Sequence, residues 1–395
     1  MFDNISVSSI PTIRRGTQVS DEYEDFRLSV RELALERVAP YASLVDQEER
    51  FPSEAWSAIC AADLPGLAHP ESLGGSGGDL RSQVIAVEEI AAACSSSAMV
   101  LLVNWAGTCT VITEGSRELQ ELVVPSVSSG EAGAGWCLTE PSSGSDLSGL
   151  STVAVRDGDG WVLNGHKRFI SNAGWGDWFA VLARSGPASE FGVFMVHRDD
   201  VGVSFGPQEK KMGLRGSPTA DVHLDNCRIP AVRVVGDPSR GYTYIMNELN
   251  GSRALIAAQA LGLSRAAFAA AVEYTASRVQ FGQPIARFQM VRSMIADMAI
   301  RIESAASLLY QAVGLIQKGD PRARAQVSMA KVLCSDNAMA VTTDAVQLFG
   351  GYGYMRDYPV ERMMRDAKVT QIYEGSNQIQ RLVISKAVYA SQGRS

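Results

Sequence analysis

The hydrophobic period of this chain changes twice, and that constrains its fold more than any other feature. From residue 21 to about 131, apolar side chains such as Tyr23, Phe26, Val30 and Leu33 recur at three- and four-residue intervals, as amphipathic helices require. Pro40, Pro52 and Pro65 punctuate these helices. Between about 134 and 236 the apolar runs become short and rich in β-branched and aromatic residues. Examples are Thr152-Val-Ala-Val155, Gly160-Trp-Val-Leu163, Trp178-Phe-Ala-Val-Leu182, Gly192-Val-Phe-Met-Val196 and Asp221-Val-His-Leu224. Turn signals separate them at Asp157-Gly-Asp-Gly160, Asn164-Gly165, Gly186-Pro187 and Gly206-Pro207. From Tyr242 the helical period returns in four long segments, over 242–279, 288–318, 321–349 and 358–390. The expectation is a mainly α protein with a central β domain: a helical domain over 1–133, a small antiparallel β domain over 134–236, and an antiparallel bundle over 237–395.

Two details refine this division. Leu73-Gly-Gly-Ser-Gly-Gly78 reads as a flexible loop leading into an apolar run over 84–103. That run contains Ala91-Ala-Ala-Cys-Ser-Ser-Ser-Ala98, whose small residues permit close packing of a central helix.

With 395 residues, 46% hydrophobic and 20% charged, the chain has ample material for a core. A net charge of −7 leaves no basic footprint for nucleic acid. The 6 cysteines form no close pair, and with 4 scattered histidines they give no zinc-ligand spacing, so no metal is expected. The N-terminus carries no basic stretch followed by an apolar one, and no apolar run reads as long enough to span a bilayer. A soluble, cytoplasmic protein is the expectation.

The chemistry-bearing stretches are few. Gln371-Ile-Tyr-Glu-Gly-Ser-Asn-Gln-Ile-Gln380 places one carboxylate, Glu374, against Gly375 inside an otherwise helical pattern. Glycine costs about 1 kcal/mol in a helix interior, so Gly375 marks a break or a close backbone approach, and an acid at a break can project into a cavity. No GxGxxG follows a strand, and there is no P-loop. Hydroxyls and glycines gather instead between Trp136 and Gly149, where Thr139, Ser142, Ser143, Gly144 and Ser145 suit a carbonyl-rich or phosphate-bearing ligand. Between the first two bundle helices, residues 278–289 offer a guanidinium, amides and aromatic rings, a group that a diphosphate would reward. Gln347-Leu-Phe-Gly-Gly351 closes the third helix with an amide and two glycines.

Taken together, residues 136–149, 211–230, 278–289 and 347–386 resemble the acyl-CoA dehydrogenase family over nearly the whole chain. The resemblance implies a helical domain, a middle β-barrel or sandwich and a C-terminal four-helix bundle, with FAD as cofactor. It implies that Trp136, Leu138, Thr139, Gly144 and Ser145 wrap the flavin, with Phe169, Ile170 and Ser171 packing on it. Many members have Trp and Thr where this chain has Phe169 and Ser171. It further implies that Arg278, Phe281, Phe288 and Gln289, with Gln347, Leu348, Gly350 and Gly351, hold the diphosphate and adenosine from a neighbouring subunit, and that Ser376 and Gln378 touch the flavin. A site completed across subunits means a homo-oligomer, in this family usually a tetramer.

Glu374 matches the family's base, which takes the α-proton of an acyl-CoA while the β-hydrogen leaves as hydride. A few members carry the base on the first bundle helix before an arginine, where this chain has Ser252 ahead of Arg253. Ser145, Asn250, Ser252, Arg253, Tyr373 and Gly375 correspond to substrate-contacting positions, Asn250 standing where an acidic residue is frequent. The implied activity is α,β-dehydrogenation to a trans-2-enoyl-CoA within fatty acid β-oxidation, electrons passing to an electron-transferring flavoprotein. The alternatives are an oxidase-like or monooxygenase relative on the same fold, or a non-catalytic flavin or acyl-carrier binding protein.

Overall fold

The computed structural model describes residues 21–187 and 190–390. The observations on the extreme N-terminus lie outside those residues. The first helices are α1 (Asp21–Leu33), α2 (Ala42–Glu48), α3 (Ser53–Ala61), α4 (Leu80–Ala93), α5 (Ser95–Glu114) and α6 (Arg117–Ser128). Asp79 caps α4 by accepting from Ser82 N at 2.9 Å, and Ser116 caps α6 by accepting from Leu119 N at 3.2 Å. The glycine stretch before α4 is not a flexible loop. Gly75, Ser76, Gly77 and Gly78 donate backbone hydrogen bonds to Pro70, Gly66, His69 and Leu67, folding the segment onto its own start. A Cβ on Gly75 would sit 2.1 Å from His69 O, so close approach is what requires glycine there.

The β region contains β1 (Ala134–Cys137), β2 (Val153–Asp157), β3 (Gly160–Ser171), β4 (Trp178–Arg184), β5 (Phe191–His197), β6 (Val203–Phe205), β7 (Thr219–Pro230) and β8 (Val234–Val235). They form one sheet in the order β6-β7-β3-β2-β4-β5-β8, with β1 added beside β4. The sheet is mixed, not purely antiparallel, because β1 and β2 both run parallel to β4. Asn164-Gly165 is not a turn either: β3 runs through it with a shift in register. Phe179 and Val181 of β4 share a core with Leu163 of β3 and Val222 of β7, so the sheet curls around one apolar face. The opposite face of β4, with Ala180 and Leu182, packs on Val123 and Val127 of α6. Burial on both faces explains why β4 and β5 read as continuous apolar runs rather than alternating ones.

After the sheet come α7 (Gly241–Ser277), a short hairpin of β9 (Val279–Gln280) and β10 (Gln283–Pro284), α8 (Gln289–Gln317) and α9 (Ala323–Phe349). The fourth segment is two helices, α10 (Val360–Val369) and α11 (Asn377–Ala390), separated at the acid-glycine pair. Contrary to the sequence expectation, α5 and α7 are each long and apolar enough to cross a membrane by length and composition; both are mostly buried. α7 and α4 share one hydrophobic core with α5, α8 and α9. A buried ionic group reinforces the join: Glu88 of α4 pairs with Arg27 of α1 at 3.1 Å and with Arg265 of α7 at 2.7 Å. The first helical layer and the bundle therefore enclose a common interior, and its rim faces β1.

Candidate functional site

Glu374 is mounted on the connection between α10 and α11 in an unusual backbone state. Its φ is 53°, and Gly375 follows at 86°. A non-glycine residue in this left-handed region costs about 1–2 kcal/mol, so the surroundings must impose it. They do so from several helices. Lys331 of α9 donates to Gly375 O at 3.0 Å and to Asn377 Oδ1 at 2.9 Å. Gln380 Nε2 donates to the carbonyls of Glu374 and Gly375, each at 3.2 Å. The Tyr373 hydroxyl donates to Gln259 Oε1 of α7. The dihedral angle is what requires glycine at 375; a Cβ there would meet only the end of the Gln380 side chain, at 2.5 Å from Nε2.

The Glu374 carboxylate accepts a hydrogen bond from Ser252 Oγ of α7 at 2.6 Å. Burial pushes its carboxyl above the ordinary carboxylate range; Ser252, Arg253 and Lys331 pull it down without cancelling that effect. The side chain retains partial exposure because it faces a cavity. Arg253 is buried and held below its ordinary value chiefly by desolvation. Its Nη1 donates to Asn250 Oδ1 at 3.3 Å, while its Nε has no hydrogen-bond partner. Burial also brings the Lys331 ammonium down to about 8.

The cavity has a volume of about 180 Å³ and runs between α5 and α7, with Glu374, Ser252 and Gly251 on one side. Leu102, Val103 and Trp105 of α5 line it, whereas Asn104 turns away and accepts from Ala134 N at 2.7 Å. Trp136 of β1 also reaches this cavity, with its indole Nε1 buried and lacking a hydrogen-bond partner. Sequence reasoning missed Cys109, Thr113 and Glu248, which lie on the same lining. No local motif marks them, because α5 and α7 bring them together from distant parts of the chain.

Beyond Trp136, the chain from Leu138 to Ser151 forms a polar loop. Its anchor was also missed: Glu140 and Lys167 make a fully buried ion pair at 2.9 Å. Lys167 donates to Leu138 O at 3.2 Å as well, and Arg168 N donates to Thr139 O at 2.8 Å. Leu138 and Thr139 are half-buried, whereas Gly144 and Ser145 are exposed. Phe169 stands 57% exposed with φ 58°, at the register shift of β3. Ile170 is different: its side chain is 2% exposed and belongs to the core of the sheet, so only Phe169 and Ser171 of this trio present side chains outside it.

On β3 and β7, His166, Asp221 and His223 bring their ligand atoms within 4.8 Å of one another, a metal-capable group that sequence spacing did not reveal. Cross-strand register creates it. Arg168 donates to Asp221 Oδ2 at 2.7 Å, and its positive charge opposes a cation there.

Arg278, Gln347, Leu348, Gly350 and Gly351 meet at the end of the bundle in a second cleft of about 510 Å³. Tyr352 lies under the Arg278 guanidinium at 5.3 Å, and Tyr274 stacks on Phe349 at 4.1 Å. Phe281 and Phe288 touch edge to face at 5.9 Å, Phe281 being 92% exposed, and Gln289 is exposed at the start of α8. Ser376 and Gln378 sit at the start of α11, Gln378 exposed. In this single chain the cleft shares no lining residue with the Glu374 cavity.

Comparison with known proteins follows this geometry closely. Residues 20–131, 135–227 and 239–389 match the N-terminal, middle and C-terminal domains of acyl-CoA dehydrogenase. The chain is 44% identical over 374 residues to a probable acyl-CoA dehydrogenase, fadE25, of Mycobacterium leprae, covering 94% of this chain and 96% of that one. Butyryl-CoA dehydrogenase from Megasphaera elsdenii superposes with a TM-score of 0.91 at 35% identity, covering 94% and 99%. A chain solved in work on the electron transferring flavoprotein of Acidaminococcus fermentans gives 0.91 at 37% identity, covering 94% and 98%.

Proposed function

The chain belongs to the acyl-CoA dehydrogenase family of FAD-dependent oxidoreductases, and on that premise we propose that Glu374 is the base that takes the α-proton of an acyl-CoA thioester. One observation carries the reading: the only carboxylate at the α10–α11 break reaches into the cavity and accepts a hydrogen bond from Ser252 on its wall. An α-proton is weakly acidic, and a carboxylate in water is a feeble base for it. Burial raises Glu374 toward the working pH, where base strength and the deprotonated population are both useful. Polarisation of the thioester carbonyl must assist. Among the described residues the Glu374 backbone N–H makes no hydrogen bond, which leaves it free to donate to that oxygen. Ser252 hydrogen-bonds the carboxylate, Lys331 tethers the neighbouring Gly375 carbonyl, and the charges of Arg253 and Lys331 temper that of Glu374.

The residues around the β-domain entry fit FAD on their own evidence. Trp136 offers an unpartnered buried indole N–H, Thr139 and Ser171 offer hydroxyls, and Phe169 holds an aromatic ring outward in a strained conformation. Arg278 and the Gln347–Gly351 turn fit a diphosphate and adenosine. When bound, FAD accepts the hydride that leaves the β-carbon. The remaining parts of the proposal are finer. The two clefts are joined into one site by a second copy of the chain, in a homotetramer. Support comes from the apolar side chains left outward around the bundle end and along α8: Phe281 at 92%, Met290 at 82% and Ile300 at 66% exposed. Electrons pass to an electron-transferring flavoprotein, supported by the likeness to the Acidaminococcus fermentans chain. The setting is cytoplasmic fatty acid β-oxidation.

Anaerobic mixing with an acyl-CoA tests the base. Glu374→Gln should keep the flavin and bind the thioester, but bleach at least ~10²-fold more slowly. Near-normal bleaching would remove Glu374 from the chemistry. Reoxidation by electron-transferring flavoprotein rather than by air separates a dehydrogenase from an oxidase.

A further inference from the structure

The residue before the base has a hold of its own. Gln259 lies on α7 two helical turns beyond Ser252, so the two side chains leave the same face of one helix. Ser252 donates to the Glu374 carboxylate, and Gln259 accepts from the hydroxyl of Tyr373, the next residue back. One helix therefore grips the connection at two points, about 10 Å apart along its axis. The other supports lie downstream: Lys331 and Gln380 bond the carbonyls of Glu374 and Gly375. The φ of Glu374 is a rotation between these two sides, so a left-handed value persists only if both are fixed.

The Gln259 amide has no freedom in this arrangement. It is fully buried, and Nε2 donates to Ser95 O at 3.2 Å and to Ser95 Oγ at 2.9 Å, at the start of α5. The Ser95 carbonyl can only accept, so the nitrogen must face α5 and the oxygen must face Tyr373. The Tyr373 hydroxyl must then donate. Burial raises it well above the ordinary phenol range and Glu374 adds to that effect, so it keeps its proton throughout the working pH range. Around Gln259 on α7, Ile256, Ala258, Ala260 and Leu263 are buried and apolar. Packing alone would be served there by a leucine. A buried amide is costly unless its polar atoms are matched, and here both ends are.

Resting on the reading of Glu374 as base, we propose that Gln259 is a positioning residue for the proton transfer: through the Tyr373 hydroxyl it fixes the left-handed turn that aims the Glu374 carboxylate into the cavity. It acts on the reaction by way of Tyr373 alone. Its loss therefore slows proton removal and leaves the grip on the thioester in place. Because the effect passes through one hydrogen bond, deleting either partner of that bond has the same consequence as deleting both.

The test is a double-mutant cycle on the flavin-loaded enzyme, read by anaerobic bleaching with butyryl-CoA and octanoyl-CoA at a series of concentrations. Gln259→Met keeps the length of the side chain and removes its hydrogen bonds. Tyr373→Phe removes only the hydroxyl, and as a near-isosteric change it guards against a folding defect in the methionine variant. Each should lower the rate at saturating thioester by about 10- to 100-fold, the upper figure being what ~1 Å of misplacement costs, while the half-saturating concentration moves less than about threefold. The double variant should be no slower than the slower single one, within about threefold. Multiplied losses in the double variant would overturn the proposal, because the two residues would then act independently. Wild-type rates in Tyr373→Phe would overturn it too, and so would a loss confined to the half-saturating concentration, which would make the pair a binding contact. Failure of the base assignment would show separately, as near-normal bleaching in Glu374→Gln.

Discussion

Replacing Lys331 by Met separates the stability of the catalytic connection from its geometry. Lys331 is fully buried in α9, and burial lowers its ammonium from 10.5 to about 8. That lowering corresponds to roughly 3 kcal/mol at ~1.4 kcal/mol per tenfold change in proton affinity. Between pH 8 and 10.5 the unfolded chain binds this proton and the folded chain does not. Wild type therefore gains stability as pH rises through that window. Methionine does not titrate, so the stability difference should move by up to ~3 kcal/mol in favour of wild type between pH 7 and 11. At pH 7 the variant should stay within about 2 kcal/mol of wild type. Relief of a buried charge offsets two lost hydrogen bonds, and Gly375 O retains a second donor in Gln380 Nε2. Activity should respond differently. Without Lys331 the connection carrying Glu374 loses its tether, and a misplacement of ~1 Å can cost ~10²-fold. Glu374 also loses a cation that lowers its carboxyl, so the pH dependence of bleaching should shift upward. Urea melts at several pH values and anaerobic stopped-flow bleaching read both effects. A variant with wild-type bleaching and an unshifted profile would refute the assigned role of Lys331.

Three further outcomes follow from the geometry. Glu374→Gly combined with Ser252→Glu should regain part of the bleaching that Glu374→Gly alone loses, because the two side chains meet at 2.6 Å; no recovery would mean that the α7 position cannot reach the α-carbon. Glu140→Ala strands the buried Lys167 ammonium and should destabilise the protein by about 3–5 kcal/mol in denaturant melts, and a loss under about 1 kcal/mol would contradict the pairing. Arg278→Ala should weaken FAD retention on gel filtration without altering helical content, whereas a stable monomer that keeps its full flavin would exclude a site shared between copies.

The sequence by itself determined the class and order of the architecture and the position of one acid. Hydrophobic period is a local record of which face each segment buries, so helices, strands and helices again were legible without any partner. Gly375 was legible as a break because glycine is costly inside a helix, and Glu374 stood out beside it. Tertiary structure decided what those segments are buried against. Parallel pairing of β1 with β4 leaves no local trace, and it made the sheet mixed where short runs parted by turn signals suggested an antiparallel one. The glycines of 74–78 read as freedom from composition, but the close contacts of Gly75 with His69 and of Gly78 with Leu67 give those two the opposite meaning. The supports of the candidate site are likewise non-local. Ser252 meets Glu374 across 122 residues, Lys331 meets Gly375 across 44, and Thr113 meets Glu248 across 135. None lies within a motif that spacing could reveal. A buried lysine looks like any helical surface residue until neighbouring helices remove its water, and only then does its charge become chemistry.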